Sequence, residues 1–143
     1  MSQNRPLGDI AEGLIFLYNF GMRYRYFNPN PAGRAVGDCA IRAVSAALGV
    51  DWEEAYAMIA VAGYAMNDMP SSDSVWGSVL RMHNFYKTQL PCCYTFAEFA
   101  EDHPRGVYVL GTGTHVATII DGVLLDAWNS SNEVADFVWF RKD

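Results

Sequence analysis

The 143 residues carry 16 acidic against 10 basic side chains, a net charge of −6, and 51% of them are hydrophobic and 14% aromatic. That is enough apolar material for one compact domain with its own core, and it excludes a disordered chain or two separate domains. The acidic balance, with no basic run interleaved with aromatics, excludes a nucleic-acid groove.

The N-terminus shows no charged region followed by a long apolar one, and Gly13-Leu14-Ile15-Phe16-Leu17-Tyr18 is far too short to span a bilayer. The expectation is a soluble, cytoplasmic protein with no membrane partner. Residues 1–27 read as an N-terminal arm, a strand or an irregular segment, with rough alternation in Met22-Arg23-Tyr24-Arg25-Tyr26. The five arginines ahead of residue 43 (Arg5, Arg23, Arg25, Arg34, Arg42) face three acids, a local basic bias that reads as solvated surface.

Asn28-Pro29-Asn30-Pro31-Ala32-Gly33 disfavours regular structure and predicts a loop leading up to Cys39. Asp38 is then a candidate N-cap, and Ile41, Val44, Ala47 and Leu48 recur at helical spacing until Gly49, which predicts a helix over 38–48. At about 100° per residue, the stripe of Ile41, Val44 and Leu48 lies opposite Cys39. The cysteine shares its side with Ala43 and Ala46, whose small side chains let another element approach closely. Cys39 is thereby expected to face a cleft.

A second helix is expected from Asp51, which forms a capping-box pattern with Glu54, to Gly63, burying Trp52, Tyr56, Ile59 and Ala60. A third is expected over 72–83 with Val75, Val79 and Met82, and a short fourth over 95–101 with Phe96, Phe99 and Ala100. Residues 38–103 therefore read as a mainly helical half. Over 105–141 the pattern changes to β-rich runs separated by turns, which predicts an antiparallel sheet half. The fold class is α+β, a single domain over 1–143.

Asp121-Gly122 is the dipeptide favoured in two-residue hairpin turns, because both central residues need positive φ. With that turn, Ile120 faces Val123, Ala117 faces Asp126 and His115 faces Trp128. Asp126 and His115 are then diagonal neighbours on one face, roughly 7 Å apart at the backbone, a distance two side chains can bridge. Asn129 points to the other face of a straight strand and takes the role of Asp126 only if a bulge intervenes.

A helix-opening cysteine, a strand-opening histidine and a same-face carboxylate supply the parts of nucleophilic sulfur chemistry: a thiolate, a proton-passing imidazole and a group that orients it. His83, at a polar helix end, and His103, in Asp102-His103-Pro104, have no comparable setting. Cys92 and Cys93 lack a second Cys or His pair at zinc spacing and read as ordinary semi-buried thiols. No metal site and no cofactor are expected.

In Gly37-Asp38-Cys39 and in His115 through Asp126-Ala127-Trp128-Asn129, the chain resembles the papain-like cysteine peptidase superfamily, in particular small bacterial members similar to bacteriocin-leader peptidases. The run Asn30-Pro31-Ala32-Gly33-Arg34-Ala35-Val36-Gly37-Asp38-Cys39-Ala40-Ile41-Arg42-Ala43 also resembles short proteins of bacteriophages and gut bacteria. The resemblance covers residues 28–140 and implies a helical half bearing the Cys against an antiparallel sheet bearing the His and Asp. It implies a peptidase or isopeptidase acting on a peptide or protein substrate, with catalytic Cys39, His115 and Asp126 and an acyl-enzyme on the sulfur. Two positions depart from the pattern. The family's Gln ahead of the Cys is missing, Gln3 and Gln89 being the only glutamines, and Asn30 is the candidate amide donor to an oxyanion. Ala40 stands where the leader peptidases often have Gly. Trp128 is either a wall of the cleft or a core residue. Two other readings stand beside hydrolysis: a transglutaminase- or deamidase-type acyl transfer, and a catalytically silent binding module that keeps the three residues by descent.

Overall fold

The computed structural model describes residues 23–142. Among them, strands β1 (Tyr24–Tyr26), β2 (Phe85–Gln89), β3 (Val107–Gly111), β4 (Val116–Ile120), β5 (Val123–Asp126) and β6 (Phe137–Arg141) form one sheet. The helices are α1 (Cys39–Leu48), α2 (Trp52–Met66), α3 (Asp73–Met82) and α4 (Phe96–Asp102). The fold is therefore mixed α+β. Strand order is β1-β5-β4-β3-β6-β2, with β1 parallel to β5 and the remaining pairs antiparallel.

Pleat alternation sends successive side chains of each strand to opposite faces. Val109, Val116, Phe137 and Trp139 pack with Val44, Ile59, Val75, Trp76 and Leu80 from the first three helices. Leu110, Ala117, Ile119, Leu124 and Val138 pack with Phe96, Phe99 and Ala100 of α4. The central strand β4, Val116-Ala117-Thr118-Ile119-Ile120, is buried along its whole length because both faces are covered.

α1 ends where Gly49 adopts φ 68° and its N–H returns to the Ser45 carbonyl. The small side of this helix does admit a close neighbour. Ala43 is buried against β4, and the Thr118 hydroxyl donates to the Ala43 carbonyl at 2.7 Å. Ile41 and Leu48 are only half-buried, so the helix is sandwiched between sheet and helices rather than resting on one bulky stripe.

The Asp121-Gly122 turn has φ 49° and 80°, and the pairs Ile120↔Val123, Ile119↔Leu124 and Thr118↔Leu125 give the register expected from it. Two close approaches hold β6, one from β3 within the sheet and one from α3 packed on it. A Cβ on Gly111 would lie 2.1 Å from the Phe137 ring, and one on Gly77 would lie 2.7 Å from Trp139.

Several expectations need correction. Residues 38–103 are mainly helical, but Phe85–Gln89 within them forms the unexpected edge strand β2; only Phe85 of that strand is buried, so it lacks the alternation that marks a half-buried strand. The C-terminal sheet is not purely antiparallel, because β1 from the arm adds a parallel edge; residues 1–22 of the arm lie outside the described residues. α2 runs past Gly63 to a cap at Asn67, with φ 53°. Gly63 instead packs against Asp68 and Pro70, and the buried face is Ala55, Ile59 and Gly63, while Tyr56 is exposed. Met82 is also exposed, at the end of α3. No described helix is long and apolar enough to cross a membrane.

Candidate active site

The approach to α1 is folded by two asparagines. Asn28 accepts from the Asn30 N–H and donates to the Arg34 carbonyl, while the Asn30 side-chain oxygen accepts from the N–H groups of Ala32 and Arg34. Gly33 completes the turn at φ 67°. Asn30 thus uses its side-chain oxygen to shape its own loop, an Asx-type turn. It does not line the hollow beside Cys39, so the structure does not bring it to the site as an oxyanion donor.

Cys39 is the first residue of α1 and half-buried. It opens onto a hollow of about 290 Å³ whose walls include Tyr56, Ile59, Trp76, His115 and Phe137. No side chain caps the start of the helix, so its positive end is left open beside the sulfur. Asp38 occupies the capping position but turns its carboxylate elsewhere: Oδ1 takes the Arg42 guanidinium at 2.5 Å and Oδ2 takes Trp52 Nε1 at 2.8 Å.

His115 lies one residue ahead of β4, and Asp126 is the last residue of β5, so both stand at the same end of the sheet. The Thr112 hydroxyl oxygen accepts the His115 N–H, and the His115 carbonyl accepts the Thr112 N–H, which fixes the turn before the strand. Nε2 of His115 meets Asp126 Oδ2 at 2.6 Å. With Nε2 held by a carboxylate, Nδ1 is the ring nitrogen left for the sulfur.

Asp126 is fully buried and takes four hydrogen bonds. Oδ2 accepts from His115 and from the Ser130 hydroxyl at 2.5 Å; Oδ1 accepts from Arg42 Nη2 at 3.0 Å and from the Ala127 N–H at 2.8 Å. Every acceptor position of the carboxylate is therefore occupied. Burial alone would raise its pKa, but the bonds from His115 and Ser130 and the charges of His115 and Arg42 win and hold it below the usual carboxylate range.

The other two members shift in the directions that favour an ion pair. Burial works against a charged Cys39, yet hydrogen bonds from His115 and from the Val116 N–H, with the charges of His115 and Arg42, pull its pKa below that of an ordinary thiol. For His115 burial again opposes charge, and the bonds and charges of Asp126 and Cys39 outweigh it, pushing the imidazole up to about 9. A thiolate beside an imidazolium at the mouth of a hollow is equipped for attack on an electrophilic carbon followed by proton delivery.

Trp128 is neither a core residue nor remote. It is 47% exposed, and its ring lies 4.9 Å from that of His115, tilted by 43°. Asn129 is exposed and accepts from the Ser131 N–H and hydroxyl, so it does not reach the histidine. The adjacent Ser130 instead donates its hydroxyl to the Asp126 carboxylate.

Sequence reasoning missed Ser130 and Arg42. Arg42 is not solvated surface; it is 6% exposed and bonded to both Asp38 and Asp126. Its four-residue spacing from Asp38 on a helix is the signal that was available. Cys92 and Cys93 are exposed rather than semi-buried, because the chain turns there with Cys93 at φ 70°. His83 and His103 each bond, through Nδ1, to a carbonyl four residues back, Val79 and Phe99. Among the described residues no cluster of His, Cys, Asp and Glu is arranged to hold a metal ion.

Compared with known proteins, the chain matches no family model, no curated protein and no solved structure.

Proposed function

We propose that this protein is a cysteine-dependent amide hydrolase of papain-like type, acting on a peptide or protein through an acyl-enzyme on Cys39. The observation that carries the reading is that His115 stands between the sulfur of Cys39 and a fully buried carboxylate, Asp126, whose remaining acceptor positions are all taken. A carboxylate held this way cannot turn aside, so it fixes the tautomer and the plane of the imidazole.

In the proposed reaction the Cys39 thiolate attacks the carbonyl carbon and forms a C–S bond, and the carbonyl oxygen takes the negative charge. The open start of α1, with the backbone N–H of Cys39, supports that charge. The C–N bond then breaks as the His115 imidazolium gives its proton to the leaving amine. Neutral His115 next removes a proton from water, the resulting hydroxide attacks the thioester, and the acid leaves as the sulfur departs as thiolate. The exposed Trp128 ring beside His115 forms an apolar shoulder for the substrate chain.

The placement of Asn30 favours a second reading, a silent binding module of the same fold. Among the described residues no side-chain amide lines the hollow beside Cys39, where papain-like peptidases place one against the oxyanion. One experiment separates the possibilities: incubation of the wild type and Cys39→Ala with a peptide library, products read by mass spectrometry. Hydrolysis gives paired fragments that together contain an added water, deamidation gives intact peptides carrying an acid for an amide, and transfer gives amine adducts. Products of either kind other than hydrolysis reassign the reaction, and no Cys39-dependent product with any peptide favours the silent module.

A further inference from the structure

We propose that Arg42 is the positioning residue of this site, its guanidinium tying the foot of the cysteine helix to the carboxylate behind the histidine and balancing the charge of Asp38, the residue before Cys39. The inference rests on the functional reading above and gives a role to a buried cation that the reaction itself does not use.

Arg42 lies on α1, less than one turn beyond Cys39, with its side chain 7% exposed. A buried guanidinium is costly unless it is paired and hydrogen-bonded. Here one arm meets Asp38 Oδ1 at 2.5 Å and the other meets Asp126 Oδ1 at 3.0 Å. Asp38 comes from the loop before α1 and is steadied by Trp52 of α2; Asp126 comes from β5. Cys39, His115 and, from β1, Tyr24, whose hydroxyl donates to the Asp126 carbonyl, also stand among the described titratable groups near this cation. One planar fork therefore ties the start of α1, which carries the sulfur, to the β5 carboxylate that holds the His115 imidazole. Lysine offers the charge at one point and cannot reproduce the fork.

The charge count gives the second half of the role. With Arg42 in place, the two carboxylates, the guanidinium, the imidazolium and the thiolate leave one net negative charge. Without it they leave two, and the thiolate must form against an uncompensated Asp38 that immediately precedes it in the chain. Removing Asp38 as well restores the single negative charge. A residue that only filled space would show no such restoration.

The test is the pH profile of iodoacetamide alkylation at Cys39, resolved by peptide mass so that Cys92 and Cys93 do not contribute. It is run on the full chain as wild type, Arg42→Lys, Arg42→Met, Asp38→Asn and the double variant Arg42→Met/Asp38→Asn. Arg42→Met is expected to raise the apparent pKa of Cys39 by about one to two pH units, and Arg42→Lys by less, as expected for a charge that the lysine partly replaces. The double variant is expected to return to within about half a pH unit of the wild type. An unchanged profile in Arg42→Met, or a double variant shifted as far as the single one, overturns the inference. If circular dichroism shows that Arg42→Met does not fold, Arg42→Lys and the double variant decide it by the same criteria. A wild type with a depressed Cys39 pKa that is indifferent to Arg42 overturns this inference alone. A wild type titrating as an ordinary thiol overturns the functional reading and this inference with it.

Discussion

Asp126→Asn keeps the shape of the buried side chain and takes away half of its capacity to accept. Asp126 receives Arg42 and the Ala127 N–H on one oxygen, and His115 and Ser130 on the other. Asparagine offers one carbonyl oxygen and one NH₂ group. Turned one way, the NH₂ faces the guanidinium and a backbone N–H, donor against donor. Turned the other way, it faces His115 and Ser130, and the imidazole must then carry its proton on Nδ1, the nitrogen that should receive the proton of Cys39. Breaking a buried ion pair by neutralising one partner costs about 3–5 kcal/mol. Because Arg42 keeps Asp38, the lower end, about 3 kcal/mol, is the expected loss. At the same time the pKa of His115 is expected to fall from about 9 towards its ordinary 6.5. Urea denaturation at neutral pH reads the first quantity, and an NMR titration of the His115 ring reads the second. A stability loss below about 1 kcal/mol, with His115 still titrating near 9, would refute the reasoning.

The pH dependence of stability follows from the sign of the shifts. The folded-state pKa of His115 is raised from 6.5 to about 9, so its stabilisation is present in full below 6.5 and lost as pH rises through about 9. The difference in Tm between wild type and His115→Ala is expected to shrink over that interval. Asp126 is depressed below 3.8, so its stabilisation is present above 3.8 and lost as pH falls through its folded value; the Tm difference between wild type and Asp126→Ala, measured down through the acid range, checks this. Gly111→Ala drives a methyl group into the buried Phe137 ring across β3 and β6, and is expected to destabilise by about 3 kcal/mol or more in urea denaturation.

Much of the site was legible because short-range rules governed it. The Asp121-Gly122 dipeptide sets the hairpin register, and the register alone brings His115 to Asp126. Gly49 and the small residues of α1 give the cysteine helix and the side on which the sheet approaches. What escaped was decided by tertiary partners. Asp38 has the chemistry of a cap, but a buried guanidinium and the Trp52 N–H outcompete the helix end for its oxygens. Arg42 looks like any surface arginine until β5 brings Asp126 against it. Asn30 carries an amide suited to an oxyanion, but the loop that its oxygen shapes keeps it away from the hollow beside Cys39. β2 sits at the sheet edge with four of its five side chains exposed, so no periodic signal announces it.

The account stands or falls on the pairing of Cys39 with His115. The most direct measurement is the rate of iodoacetamide alkylation at Cys39 against pH, by peptide mass, in the wild type and in His115→Ala. The expected result is an apparent pKa well below about 8.5 in the wild type, rising to that of an ordinary thiol once the imidazole is removed. A Cys39 that titrates like a free thiol in both proteins, or that does not react in either, would contradict the pairing and the chemistry built on it.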